Sequence, residues 1–137
     1  MMDILDNVKI ELSGNLLIAG LVDIYGAVVV TGEGQTLEFD SGTITQMANS
    51  IFYFDVGTTW DVDGVGTYAG NAASTIHFNG CTIDMTDAGF TVDAGYAIFE
   101  NKVTINGENT LNISTASTKV LGGARVILAN GADLNVG

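Results

Sequence analysis

Proline is absent from these 137 residues, and cysteine, histidine and tryptophan occur once each. A single thiol, Cys81, excludes an intrachain disulfide. A single imidazole, His77, excludes a multi-histidine metal cluster, and Cys81 four residues later makes no zinc set with it. Without proline the chain is neither collagen-like nor a proline-rich linker. Four basic residues face sixteen acids, for a net charge of −12. A surface that grips a phosphate backbone needs clustered Lys and Arg, so no nucleic-acid partner is expected. The longest apolar stretch, around Leu16 to Val30, is broken by Gly20, Asp23 and Gly26. A membrane-spanning helix needs ~20 largely apolar residues, so no membrane insertion is expected. The opening Met1-Met2-Asp3-Ile4-Leu5-Asp6 is acidic where a secretory signal would be basic, so a cleaved signal is not expected either.

The chain instead has apolar residues and glycine. Apolar residues make up 47%, enough for a packed core despite the charge, in a length that suits one domain. Glycine occurs 18 times, about twice the usual share of ~7%. No stretch reads as a long helix; only Gln46-Met47-Ala48-Asn49 offers a helical turn, and it reads equally as a loop. Short alternating runs dominate, such as Val8-Lys9-Ile10-Glu11-Leu12, Thr36-Leu37-Glu38-Phe39-Asp40, Thr75-Ile76-His77-Phe78-Asn79 and Val103-Thr104-Ile105-Asn106. Period two means a strand with one face buried. Gly, Asn or Asp follows nearly every run, and these residues tolerate tight bends.

The runs repeat. Residues 36–44 lie over 75–83 with Thr, Phe, Thr and Ile kept in place, and looser copies start at Thr59, Thr91 and Thr110. Their mean spacing is roughly 18.5 residues. A repeat of that length, built of short strands and bends, fits one coil of a parallel β-solenoid, a right-handed β-helix of about seven coils with three faces each. Leu37, Phe39, Ile76, Phe78, Ile83, Met85, Ile105, Leu111 and Ile113 would stack inward, with Thr and Asn stacking from coil to coil. The alternative is a β-sandwich or jelly roll, which also spaces its strands regularly but has no reason to repeat its sequence. Residues 1–137 are read as a single β-solenoid domain, with 1–7 as an N-terminal arm and 45–73 as a less regular insertion or lateral loop.

The Thr-apolar-polar-apolar-Asn/Asp units at 36–44, 75–83 and 104–113, each close to a glycine, resemble right-handed parallel β-helix segments of bacterial surface adhesins and of phage fibre or structural proteins. In length the chain is also similar to bactofilin-like cytoskeletal solenoids. The resemblance implies a structural or adhesive role and an extracellular, cell-surface or virion location, with a cytoplasmic filament also open.

Few residues suggest chemistry. Asp61-Val62-Asp63-Gly64 opens like a calcium loop, but Val65 and Ala72 stand where an EF-hand needs oxygen ligands. Asp61 and Asp63 would share one side of a strand, where Asp84 and Asp93 could join them from neighbouring coils. Paired carboxylates on a solenoid face serve some polysaccharide hydrolases, yet with sixteen acids chance pairs are easy, and solvated charge is the plainer reading. His77 occupies the polar slot of its strand and is expected to face outward; none of Ser41, Ser50 or Ser74 is marked as a nucleophile beside it. Cys81 reads as a small packed residue. No catalytic residue, cofactor or metal site is therefore expected, and the chain reads as non-enzymatic. Two groups remain. Phe52, Tyr53, Phe54, Trp60, Asp61, Asp63 and Tyr68 form either an interaction patch or a widened, capped core. Val126, Leu128, Leu134 and Val136 belong to an end coil whose strand edges little in the sequence blunts. The expected function is a building block that self-associates into a fibre, surface layer or virion component, with copies of itself or other assembly subunits as partners. The alternative is a carbohydrate-binding or carbohydrate-cleaving surface module using Trp60, Asp61 and Asp63, with glycans as ligand.

Overall fold

The structure is a computed structural model that describes residues 2–5, 7–63 and 67–137. The β-branched and aromatic runs form strands, and the Gly and Asn residues between them form corners. Coil 1 consists of β1 (Met2–Ile4), β2 (Val8–Glu11) and β3 (Leu16–Ala19). Coil 2 consists of β4 (Val22–Ile24), β5 (Ala27–Thr31) and β6 (Thr36–Ser41). Coil 3 consists of β7 (Thr43–Gln46), β8 (Ile51–Phe54) and β9 (Thr59–Asp61). Coil 4 consists of β10 (Thr67–Ala69), β11 (Thr75–Asn79) and β12 (Thr82–Asp84). Coils 5 and 6 each fuse two faces into one long strand: β13 (Phe90–Glu100) with β14 (Lys102–Asn106), then β15 (Thr110–Val120) with β16 (Arg125–Ala129). A last strand, β17 (Asp133–Val136), opens a seventh coil.

Every strand pairing among the described residues is parallel and joins one coil to the next. The second face runs β2-β5-β8-β11-β13-β15, and the third runs β3-β6-β9-β12-β14-β16. The first runs β1-β4-β7-β10, packs onto the front of β13 and ends with β17 on the front of β15. The chain is therefore an all-β parallel solenoid of about six coils, close to the seven expected, and the sandwich alternative is excluded by its parallel register.

The repeat length needs correcting. The register advances 20 residues from Met2 to Val22 and 24 from Ile51 to Thr75. Thr36 stacks on Thr59, and Thr59 on Thr82. Thr75, aligned with Thr36 by sequence, lies on the second face rather than the third. Strands on every face share the same Thr-apolar-polar-apolar alternation, so a match of pattern does not distinguish a coil from a face. Two boundary readings also change. Met2–Ile4 is not an arm but a strand paired with β4. Residues 45–73 are not an insertion, because β8, β9 and β10 within them hold their places in the three sheets.

Alternate residues point inward and form columns along the axis. One column runs Leu16, Leu37, Trp60, Ile83, Ile105, Leu128; another runs Ile10, Val30, Phe54, Phe78, Phe99, Val120. Their middle members are buried to 2% exposure or less, and each such burial contributes roughly 1.5–3 kcal/mol. The corners satisfy their own polar groups. The Ser50 and Ser74 hydroxyls donate to the carbonyls of Met47 and Asn71, three residues back in each case. Asn amides stack between coils as expected: Asn101 donates to Asn79 at 2.7 Å, Asn130 to Asn106 at 2.6 Å and Asn135 to Asn112 at 3.1 Å.

Candidate functional site

The aromatic group resolves into core. Phe52, Phe54, Trp60 and Tyr68 are all buried, so they cannot anchor a partner, and the interaction-patch reading fails for these four. Phe54 stacks on Trp60 with ring centroids 4.7 Å apart, and Phe90 meets the indole edge-on at 5.4 Å. The register advances 24 residues across coil 3, from Thr43 to Thr67, against 20 across coil 1, which leaves more room here for large rings. Tyr68 donates its phenol proton to Gln46 Oε1, whose amide in turn donates to the Thr75 carbonyl. Burial raises the Tyr68 pKa and so keeps that donor protonated. Gln46 itself, buried and hydrogen-bonded at the end of β7, is not legible in the sequence, where it reads equally as part of a helical turn or of a loop.

Tyr53, Asp61 and Asp63 do reach the surface, on different faces. On the third face, Glu38, Asp61 and Asp84 stack in register, with Asn106 continuing the column. Burial is the main cause that raises the Asp61 carboxyl above its ordinary value. The Asp63 backbone N–H, 3.1 Å away, opposes this, and the charges of Asp63, Glu38 and Asp84 reinforce it. A carboxyl whose pKa rises on folding destabilises the native state while ionised, and the loss vanishes once acid protonates it. Asp61→Asn should therefore raise stability at pH 7 by about 0.2–1 kcal/mol, the scale of an in-register like-charge pair. In thermal unfolding the gain should shrink as the pH falls through the native Asp61 titration. Asp93 is exposed on β13 and does not join Asp61. Gly64, Val65 and Gly66 of the calcium-loop reading lie outside the described residues. No three His, Cys, Asp or Glu side chains come together as a metal set among the described residues.

On the outer side of the second face, His77 points outward as expected. Its Nε2 lies 2.9 Å from Glu100 Oε2, and its ring meets Tyr53 edge-on at 4.6 Å. Asn79 donates to the Tyr53 hydroxyl and accepts from Asn101. Among the described side chains no serine or thiol completes this group: Ser50 and Ser74 are buried in corners and Cys81 is buried in the core, while the Ser41 side chain lies outside those described. Burial pushes the Cys81 thiol up to about 12. The native thiol should resist alkylation at pH 8 and react only as the chain unfolds. Because only the unfolded thiol ionises from about 9, this group's contribution to stability is complete below that pH and is lost as the pH climbs towards about 12.

The two ends are different. At the C-terminal end Val126, Leu128, Leu134 and Val136 occupy inward columns, since their register partners Val103, Ile105, Leu111 and Ile113 are buried. Nothing among the described residues lies over them, and Leu128 and Val136 are about half exposed, at 48% and 50%. The N-terminal end, which the sequence did not single out, is similar. Met2, Ile4, Leu5, Val8, Ile10 and Leu16 line an open apolar hollow of about 710 Å³. Among the described residues β1, β2 and β3 each present one unpaired edge there, and β16, β17 and the part of β15 beyond residue 113 do so at the other end. No protein-family model matches this sequence, and no curated protein or solved structure gives a match to it. The chain's own register is thus what identifies the fold, and its end coils stand out as the candidate site.

Proposed function

We propose that this chain is a structural or adhesive building block that self-associates through its end coils into a fibre, surface layer or virion component. The observation that supports this reading is that both ends expose the same inward apolar columns and parallel strand edges that bind coil to coil inside the molecule. Exposed strand edges template pairing with another chain. The charge distribution favours head-to-tail over like-end contact. Residues 1–100 hold fourteen acids and one base, whereas residues 101–137 hold two acids and three bases. Two N-terminal ends therefore repel more strongly than opposite ends do, although copies at −12 each repel overall at long range. Light scattering against protein concentration tests this: mass should rise with concentration, and a constant monomer mass would remove the reading. An extracellular, cell-surface or virion location goes with this proposal, as does a cytoplasmic filament.

A glycan-binding surface module is the second reading, moved away from Trp60. The outer side of the second face presents Val29, Ile51 and Tyr53 and, across Thr75 and His77, Tyr96 and Ile98, a flat surface with aromatic groups on both sides of the imidazole. Aromatic rings of this kind, apolar in body and polar at the tip, suit a sugar face. Glycan-array binding that disappears in Tyr53→Ala and Tyr96→Ala supports this reading; no binding to any glycan rejects it.

A further inference from the structure

The two ends do not simply abut. If a second copy continues the solenoid in phase, its β2 lies over residues 118–121 of the first copy and its β3 over β16. Its β1 then falls on the first face, one coil above the front of β15. That slot is already filled by β17 of the first copy. The two strands carry the same pattern: Leu134-Asn135-Val136 and Met2-Asp3-Ile4 each place two apolar residues inward and one polar residue outward.

We propose that copies of this chain join head to tail by strand replacement, in which β17 of one copy takes the place of β1 in the next and pairs with its β4. This rests on the self-association reading above and specifies its partner and geometry. Three observations favour β17 over β1 in the shared slot. First, β1 has three residues and pairs with one strand only, β4. Second, it places Asp3 directly beside Asp23, two carboxylates in register. Asn135 in that position sets an amide beside Asp23, as Asn106 already donates to Asp84 at 3.3 Å within the solenoid. Like charges directly opposite destabilise a strand pair, and an amide donor removes that penalty. Third, replacement covers Leu134 and Val136, which are now partly exposed, and keeps Val22 and Ile24 covered. An end contact of this kind is heterologous and does not close on itself, so it yields filaments rather than a dimer.

The in-phase junction also fixes a register on the second face. Val8, Val28, Phe52, Ile76, Ala97 and Thr118 form one column, so Thr118 meets Val8 of the next copy and Lys119 meets its Lys9. That pair is repulsive, relieved only by Glu11, whose carboxylate lies 3.5 Å from the Lys9 ammonium. Lys9 and Lys119 are both exposed, so charge reversal at either leaves the core untouched.

The test is sedimentation velocity of the full chain, of a variant lacking residues 1–5, and of Lys9→Glu, Lys119→Glu and their combination, with circular dichroism to confirm that each is folded. Removing residues 1–5 vacates the slot and should lower the concentration needed for assembly by about tenfold or more, because two aliphatic side chains then leave water without a competing strand. Either single charge reversal should also promote assembly, although it makes the chain more acidic, and the double reversal, in which Glu11 adds to the repulsion instead of relieving it, should remove that gain and fall to the wild-type level or below. Folded variants that assemble like the wild type, or charge reversals that simply add, would overturn strand replacement while leaving self-association standing. A monomer throughout, in every folded variant, would overturn both.

Discussion

Truncating Trp60 to alanine should destabilise the protein by about 3–5 kcal/mol, the usual range for loss of a buried aromatic. Natural domains are stable by only about 5–15 kcal/mol, so this one change would remove a large share. Trp60 is fully buried at the centre of the ring cluster, 4.7 Å from Phe54, 5.7 Å from Phe52 and 6.0 Å from Tyr68 by centroid. The indole also brings a penalty, since its Nε1 is buried with no hydrogen-bond partner among the described residues. Leaving a buried donor unsatisfied costs about 1–3 kcal/mol. Trp60→Phe removes that donor together with part of the volume, so it should cost no more than about half of the alanine change. Chemical denaturation of the two variants separates the contributions. Equal losses for Phe and Ala would mean that the ring stack contributes nothing beyond the indole itself.

Gly42→Ala should be the most damaging backbone substitution with a matched control. Gly42 has φ +110° and stacks over Gly20 of the preceding coil, and a Cβ built on it would lie 2.2 Å from the Gly20 carbonyl oxygen. Gly20 has a similar φ, +97°, but a Cβ there meets nothing within 4 Å. Both alanine variants carry the strain of a positive φ, about 1–2 kcal/mol. Only Gly42→Ala also forces two coils apart, at a further cost of about 1–3 kcal/mol. The difference between their unfolding free energies therefore measures how tightly coils pack at this corner. Equal destabilisation would show that the corner opens freely.

Much of the core could be read from the residues alone. Leu37, Phe39, Ile76, Phe78, Ile83, Met85, Ile105, Leu111 and Ile113 were all assigned inward from period two, and all are buried. Each sits between polar neighbours, which sets the phase of the alternation. Ile51-Phe52-Tyr53-Phe54 has no polar residue to set a phase, so the inward Phe52 and Phe54 could not be separated from the outward Ile51 and Tyr53. The burial of Trp60 depends on the length of the coils around it, a property that emerges only when β8, β9 and β11 are aligned. The length of a coil was underestimated for a related reason. Residues 36–44 and 75–83 match well because strand-corner-strand units look alike on every face, and only hydrogen-bond register assigns each to its face.

The end coils were legible at one end only. Val126, Leu128, Leu134 and Val136 lie on the terminal strands β16 and β17, where their position after the last glycine corners suggested. Their counterpart Leu16, inward on β3 and 38% exposed, has no such signal in the sequence. With residues 1–7 set aside as an arm, β3 did not look like part of an end. The acidic opening that argued against a cleaved signal includes Asp3, which stacks against Asp23 in β1. Its charge marks a strained strand pairing rather than an unpaired segment.

Negative-stain electron microscopy over a range of protein concentrations tests the central claim, self-association through the end coils, most directly. One molecule stacks six strands on its second face at ~4.8 Å spacing, with β17 beyond them, so a single copy is a rod about 29 Å long. The account predicts unbranched filaments one solenoid wide that lengthen as concentration rises. Isolated short particles of constant length at the highest concentration would contradict it.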